Sequence, residues 1–259
     1  MDAYHQARMS LFDELFRDAH LPPQGNILDA GAGDGFYSQL LADRLGRSAC
    51  LVAADHNGAL LRALDGPLPN VSRLLSDLDR LPLAPGSLDA IWHCRSMHSA
   101  DNPVGLLAGL VPLLRPGGRL VVIENNTAHS PILPLPPDFE RRLREARYVY
   151  EHTVCRAECR PERYSAGPFL TRWLAEAGLV DIWAHTYTTE DFGPLPASVA
   201  AYWQQFLDWE GTRIWPYLSP EDQAVYNRLL RADSPDYLLA RRDVYCLELT
   251  TMAIASRSN

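Results

Sequence analysis

A short apolar run, Asn26–Ala30, flows straight into Asp29-Ala-Gly31-Ala-Gly33-Asp-Gly35, and a helical pattern with Phe36, Leu40 and Leu41 on one face follows at once. Strand, closely spaced glycines and helix in direct succession constrain this chain more than any other feature. Glycine lets the backbone turn tightly and approach a ligand with no Cβ in the way. The start of a helix adds N–H groups that lack an intrahelical partner. Such a junction belongs at the carboxyl end of a strand in an open α/β sheet. Alone, it specifies a nucleotide-like ligand and no more.

The chain around the loop repeats the alternation. Cys50–Ala54 is a buried strand ending at Asp55, Val71–Leu75 a strand ending near Asp77, Leu88–His93 a fourth and Arg119–Glu124 a fifth. Helices are expected at 3–18, 36–45, 58–64 and 103–114, the last opened by Pro103. Alternation of this kind predicts an α/β, doubly wound, mostly parallel sheet covered on both faces. After Glu124 the rhythm changes. The segment SPILPLPP carries four prolines in eight residues and reads as a stiff connection. A long helix over 138–159, a helix over 169–177, a strand over 180–188, helices near 197–210 and 220–232, and a final strand over 243–255 complete the pattern. That makes seven strands in a single domain, 1–259. Its core is about 20–128, 166–192 and 241–257, with helical lid insertions at 129–165 and 193–240.

Composition narrows the function. The charge is 24 basic against 32 acidic residues, −8, and a surface of that sign argues against nucleic acid as a partner. No apolar run approaches a membrane span. The amphipathic, acidic opening MDAYHQARMSLFDELFRD lacks a signal peptide's basic start and apolar stretch, which makes the cytoplasm the default compartment. Five scattered cysteines do not suggest a disulfide framework. All basic residues are arginine, which excludes Schiff-base chemistry on a lysine.

Three features sharpen the ligand. Asp55, 20 residues after Gly35, can accept from both hydroxyls of a ribose. Asp77 can accept from an adenine amino group, with Leu78 packing on the ring; Asp79 competes for that role. An acid precedes the glycines, where it would repel a pyrophosphate but favour a cation. With these residues in order, the segment ILDAGAGDGFYSQLLA resembles the first motif of class I S-adenosylmethionine (SAM)-dependent methyltransferases. AADHN resembles their ribose-binding strand end, SDLDRLPLAPGSLDAIWHCRSMHSADNP the adenine-contact stretch and fourth strand, and LLRPGGRLVVIEN the turn and strand after it. The resemblance covers roughly residues 25–126. It implies a Rossmann-like fold and SAM as cofactor. The cofactor site would be built from Asp29, Gly31, Gly33, Gly35, Asp55, His56, Asp77, Leu78 and Cys94. In the opening helix, Tyr4 and Arg8 look like residues that cap SAM and pair with its carboxylate; otherwise they are surface residues of an amphipathic helix.

Methyl transfer is in-line displacement at a sulfonium carbon, so the protein mainly positions the acceptor and removes its proton. His98 follows the fourth strand, in a loop that in this family faces the active site. It is the candidate catalytic base, the alternative being a hydrogen bond to the loop or the cofactor. His93, Cys94 and His98 with Cys155 and Cys159 do not have the tight spacing of a structural zinc site, and no metal is expected. Five of six tryptophans fall between 173 and 215, an aromatic cover that is either core, a homodimer interface or a substrate surface. Tyr148, His152 and Trp203 are the substrate candidates. The expected partner is a small-molecule acceptor bearing an aromatic hydroxyl or an amine. A lipid-like quinone as acceptor, a SAM binder that does not methylate and, more distantly, a nicotinamide oxidoreductase are the alternatives.

Overall fold

The computed structural model describes residues 3–64, 68–153 and 165–258. In chain order the elements are α1 (Ala3–Ala7), α2 (Met9–Ala19), β1 (Gly25–Ala30), α3 (Phe36–Leu45), β2 (Ala49–Asp55), α4 (Gly58–Ala63), β3 (Val71–Leu75) and β4 (Leu88–Cys94). Then come α5 (Pro103–Leu110), β5 (Leu114–Asn125), β6 (Ile132–Leu133), α6 (Pro137–Thr153), α7 (Leu170–Glu176), β7 (Val180–Phe192), α8 (Ala197–Ile214), α9 (Pro220–Leu230) and β8 (Tyr245–Ser256). The seven expected strands are present, and the proline-rich connection adds the two-residue β6. The expected opening helix is two helices, interrupted at Arg8.

The chain divides into two compact units where a single domain was expected. One comprises Met1–Asp13, Asn126–Ser165 and Thr188–Leu249; the other comprises Glu14–Asn125, Ala166–Tyr187 and Thr250–Asn259. The first gathers the two expected insertions, widened at their edges, together with the N-terminus. The second holds the sheet.

In the sheet unit the order is β3-β2-β1-β4-β5, all parallel, followed by residues 250–256 of β8 running antiparallel to β5. β1 is central because its neighbours lie on opposite sides: β2 by the first crossover, β4 by a later one. The order therefore reverses between β1 and β4. Diverging loops leave a crevice at such a point, beyond the carboxyl ends of the strands. The central strands β1 and β4 and the second half of β5 are buried on both faces, which explains their apolar runs, whereas the edge strand β3 is partly exposed. Leu28, Ile91, Leu120 and Val122 form one core with Leu107 and Leu110 of α5 and Leu170, Trp173 and Leu174 of α7. Each fully buried leucine contributes about 2 kcal/mol. Side-chain caps start the helices where the sequence provides them: Asn57 accepts from Ala59 and Leu60 N–H, and Asn102 from Gly105 N–H.

In the other unit, α8 packs against α1 and α6, and α9 against α6. Leu133 and Ile132 pair with Tyr245 and Cys246 of β8. No helix among the described residues is long and apolar enough to cross a membrane.

Candidate cofactor and active site

The loop after β1 does what its glycines predict. Gly31, Gly33 and Gly35 have φ of +79°, +56° and +83°, in the left-handed region that penalises any other residue. A Cβ on Gly31 would stand 2.6 Å from Ser96 Oγ, so that glycine also serves packing. A Cβ on Gly33 would meet nothing within 4 Å. The middle of the loop thus offers bare backbone to open space at the sheet's switch point.

The N–H groups of Gly31, Ala32, Gly33, Gly35 and Phe36 are already engaged. Gly31 and Ala32 both donate to the Ala54 carbonyl at 2.9 Å, and Gly35 donates to Ala32. Gly33 N–H donates to Asp55 Oδ2 at 2.9 Å and Phe36 N–H to Asp34 Oδ1 at 3.2 Å. A pyrophosphate needs such donors free. The carboxylates of Asp34 and Asp55 stand there instead. Asp55, buried at the end of β2, ties the loop and the β2 turn together, because its Oδ1 accepts from Asn57 N–H at 2.8 Å. Its remaining lone pairs can still accept from vicinal hydroxyls. His56 beside it is exposed, with Nδ1 3.5 Å from Asp55 Oδ1.

Asp29 is buried and accepts from Ser38 Oγ at 2.6 Å. Burial pushes its carboxyl up to about 7, against the Ser38 hydrogen bond, with Asp55 adding to the rise. A raised carboxyl value means the folded chain holds the proton more tightly than the unfolded one. The resulting stability is complete below about 4 and is lost as pH rises through 7. Asp29→Asn escapes that loss. In calorimetric scans without ligand it is expected to melt above the parent protein at pH 8 and level with it at pH 4. A gap independent of pH would contradict this origin.

At the end of β4, His93 is fully buried, and its Nδ1 lies 2.8 Å from the Ala30 carbonyl. A carbonyl only accepts, so that nitrogen carries the hydrogen. Burial pushes the imidazolium down, leaving a neutral ring that braces β4 against β1. The Cys94 thiol is buried and burial pushes it up, so only its main chain is available to a ligand. His98 lies on the one-turn helix Met97–Ser99, with its side chain 56% exposed. Asp77 and Leu78 follow β3, Asp77 exposed and without a capping bond, Leu78 half-buried against the core.

One residue the sequence did not single out also stands here. Glu124, buried near the end of β5, accepts from Met97 N–H at 2.6 Å, and its Oε2 lies 3.8 Å from His98 Nδ1. A lone acid closing the apolar run LVVIE was the available signal.

The unit without the parallel sheet corrects several expectations. Arg8 is not a free guanidinium. Its side chain is 0% exposed, donating from Nε to Glu248 at 2.5 Å and from Nη2 to Asp191 at 2.9 Å. Its guanidinium lies 4.6 Å from the centre of the Tyr202 ring. The two carboxylates outweigh burial and raise its pKa. Tyr4 is buried edge-on against Tyr202. Trp203, expected as a substrate contact, is fully buried and donates from Nε1 to Asp191 at 2.8 Å. Tyr148 is 61% exposed on α6. The side chain of His152 lies outside the described residues, as do Cys155 and Cys159. No group of three metal-ligating side chains occurs among the described residues.

The match to a known family falls on the sheet unit. Residues 28–122 match the family described as "Methyltransferase domain". The chain is 32% identical over 120 residues to a demethylmenaquinone methyltransferase of Beutenbergia cavernae, covering 44% of this chain and 49% of that one. It is 29% identical over 122 residues to the ubiquinone/menaquinone biosynthesis C-methyltransferase UbiE of Legionella pneumophila, covering 45% and 48%. The match thus spans about half the length of these relatives. Among solved structures, a methyltransferase of Bacillus halodurans superposes with a TM-score of 0.57 at 15% identity, covering 96% of this chain and all of that one. Phosphoethanolamine N-methyltransferase 2 of Haemonchus contortus, solved with SAM, gives 0.56 at 14% identity, covering 99% and 56%.

Proposed function

We propose that this chain, whose residues 28–122 match the methyltransferase-domain family, binds SAM over the Gly31–Gly35 loop and methylates a small molecule. The observation that carries the proposal is the loop itself. It has an open backbone face at Gly33, donors already used, and acids around it. That is a fit to a phosphate-free nucleoside bearing positive charge and a poor fit to a dinucleotide. Asp55 is the acceptor for the ribose hydroxyls, Asp77 for the adenine amino group, and Leu78 the apolar contact for the ring. Bound SAM supplies a methyl group on an already activated sulfonium leaving group.

The chain's own residues then have two tasks, positioning and proton removal. His98 is exposed at the carboxyl end of β4, whereas His93 is sealed in. His98 accepts the acceptor's proton as the acceptor's oxygen, nitrogen or carbon becomes nucleophilic. A quinol acceptor is the second reading, favoured by the demethylmenaquinone and UbiE enzymes among the relatives. The test is release of S-adenosylhomocysteine with 1,4-naphthoquinol, catechol and phosphoethanolamine. Turnover with one of them, slowed about a hundredfold by His98→Ala at unchanged SAM affinity, is the expected result. Full turnover by His98→Ala across pH removes the base. Tight SAM binding with no S-adenosylhomocysteine released from any of them would point to a SAM binder that does not methylate.

A further inference from the structure

We infer that Glu124 is the positioning residue for His98, holding the imidazole with Nδ1 toward its own carboxylate and Nε2 toward the acceptor. The inference rests on the assignment of His98 as base. Glu124 is buried at the carboxyl end of β5, in the strand next to β4. One oxygen fixes the turn that carries His98, through Met97 N–H at 2.6 Å. The other stands 3.8 Å from Nδ1, within ion-pairing reach and longer than a hydrogen bond. Catalytic contacts are often this loose before a ligand binds. A carboxylate facing one ring nitrogen of an exposed imidazole is the arrangement by which a carboxylate sets a histidine's tautomer.

The surroundings leave that carboxylate few other partners. Across the sheet, Glu124 pairs with the uncharged Thr251. On β4, Glu124 also acts on the buried His93, but burial dominates there, the ring stays neutral and already donates to Ala30, and the Cys94 thiol is held protonated. Arg95, just after β4, is the nearby permanent cation felt at Cys94. Its main-chain N–H is bonded to Ile123 at 2.8 Å. A carboxylate placed only to anchor a turn would need one oxygen; this one aims its second at the exposed histidine.

The test reads His98 directly and needs no acceptor. Carbethoxylation by diethylpyrocarbonate, followed residue by residue by peptide mass, gives the pH midpoint at which each histidine becomes reactive. Glu124→Gln keeps an acceptor for Met97 N–H and deletes the charge. It is expected to move the His98 midpoint to lower pH, while His56, beside Asp55, serves as the unmoved control. An unmoved His98 midpoint in the folded variant overturns the inference. Should Glu124→Gln not fold, Glu124→Asp, which retracts the charge, must lower the midpoint by a smaller amount; no change overturns the inference equally. The two proposals separate cleanly. His98→Ala with full turnover removes the base and leaves a midpoint shift standing. A slow His98→Ala beside an unmoved midpoint removes only Glu124.

Discussion

Asp55→Ala is expected to weaken S-adenosylhomocysteine binding by about a hundredfold, the largest loss of cofactor affinity from any single side chain of the sheet unit. Two effects add. The variant lacks the acceptor for the ribose hydroxyls, and each charge-assisted bond is worth about 1.5–3 kcal/mol. It also frees Gly33 N–H and Asn57 N–H, which Asp55 accepts at 2.9 and 2.8 Å, so the loop loses the tie that shapes it. Asp55→Asn separates these effects, because its amide oxygen can accept only one of the two N–H groups. Isothermal titration with S-adenosylhomocysteine reads both variants. A loss under about threefold for Asp55→Ala would place the ribose elsewhere.

The largest expected change in stability comes from Arg8→Met. Removing the guanidinium leaves Glu248 and Asp191 facing one another's surroundings without their cation, Glu248 being nearly sealed from solvent. Breaking a buried pair by removing one partner costs about 3–5 kcal/mol. Tyr202 Oη and Trp203 Nε1 still donate to these carboxylates at 2.7 and 2.8 Å, so partial compensation remains. Urea denaturation should show the loss. Adding Glu248→Gln to Arg8→Met should recover part of it, since the uncompensated charge is then gone. A cost under about 1 kcal/mol for Arg8→Met would mean that water reaches the cluster.

What the sequence disclosed and what it hid follow one physical division. The loop, its strand and its helix depend on residues within a single turn of one another, so glycine positions and apolar period were enough to find them. Asp55 was legible because a strand end at a fixed distance from the loop is also a local pattern. Arg8 was not. Its partner Glu248 lies 240 positions away, and nothing in YHQAR announces which carboxylate it meets. An arginine on an amphipathic helix reads as surface until the opposing strand is placed. Glu124 was hidden for a related reason. It closes an apolar strand, and its role emerges only when β5 lies beside β4 and the Met97–Ser99 turn folds over it. The insertions were visible as a change of rhythm. That they gather, with the N-terminus, into a separate compact unit was not, because compactness is a property of contacts far apart in sequence.

The central claim is that the loop after β1 takes a phosphate-free, positively charged nucleoside and not a dinucleotide. Parallel calorimetric titrations of the purified chain with SAM and with NAD address it most directly. Saturable, stoichiometric SAM binding in the micromolar range or tighter, weakened about a hundredfold in Asp55→Ala, is expected, with no heat of binding from NAD. Saturable NAD binding that survives an excess of SAM would contradict it.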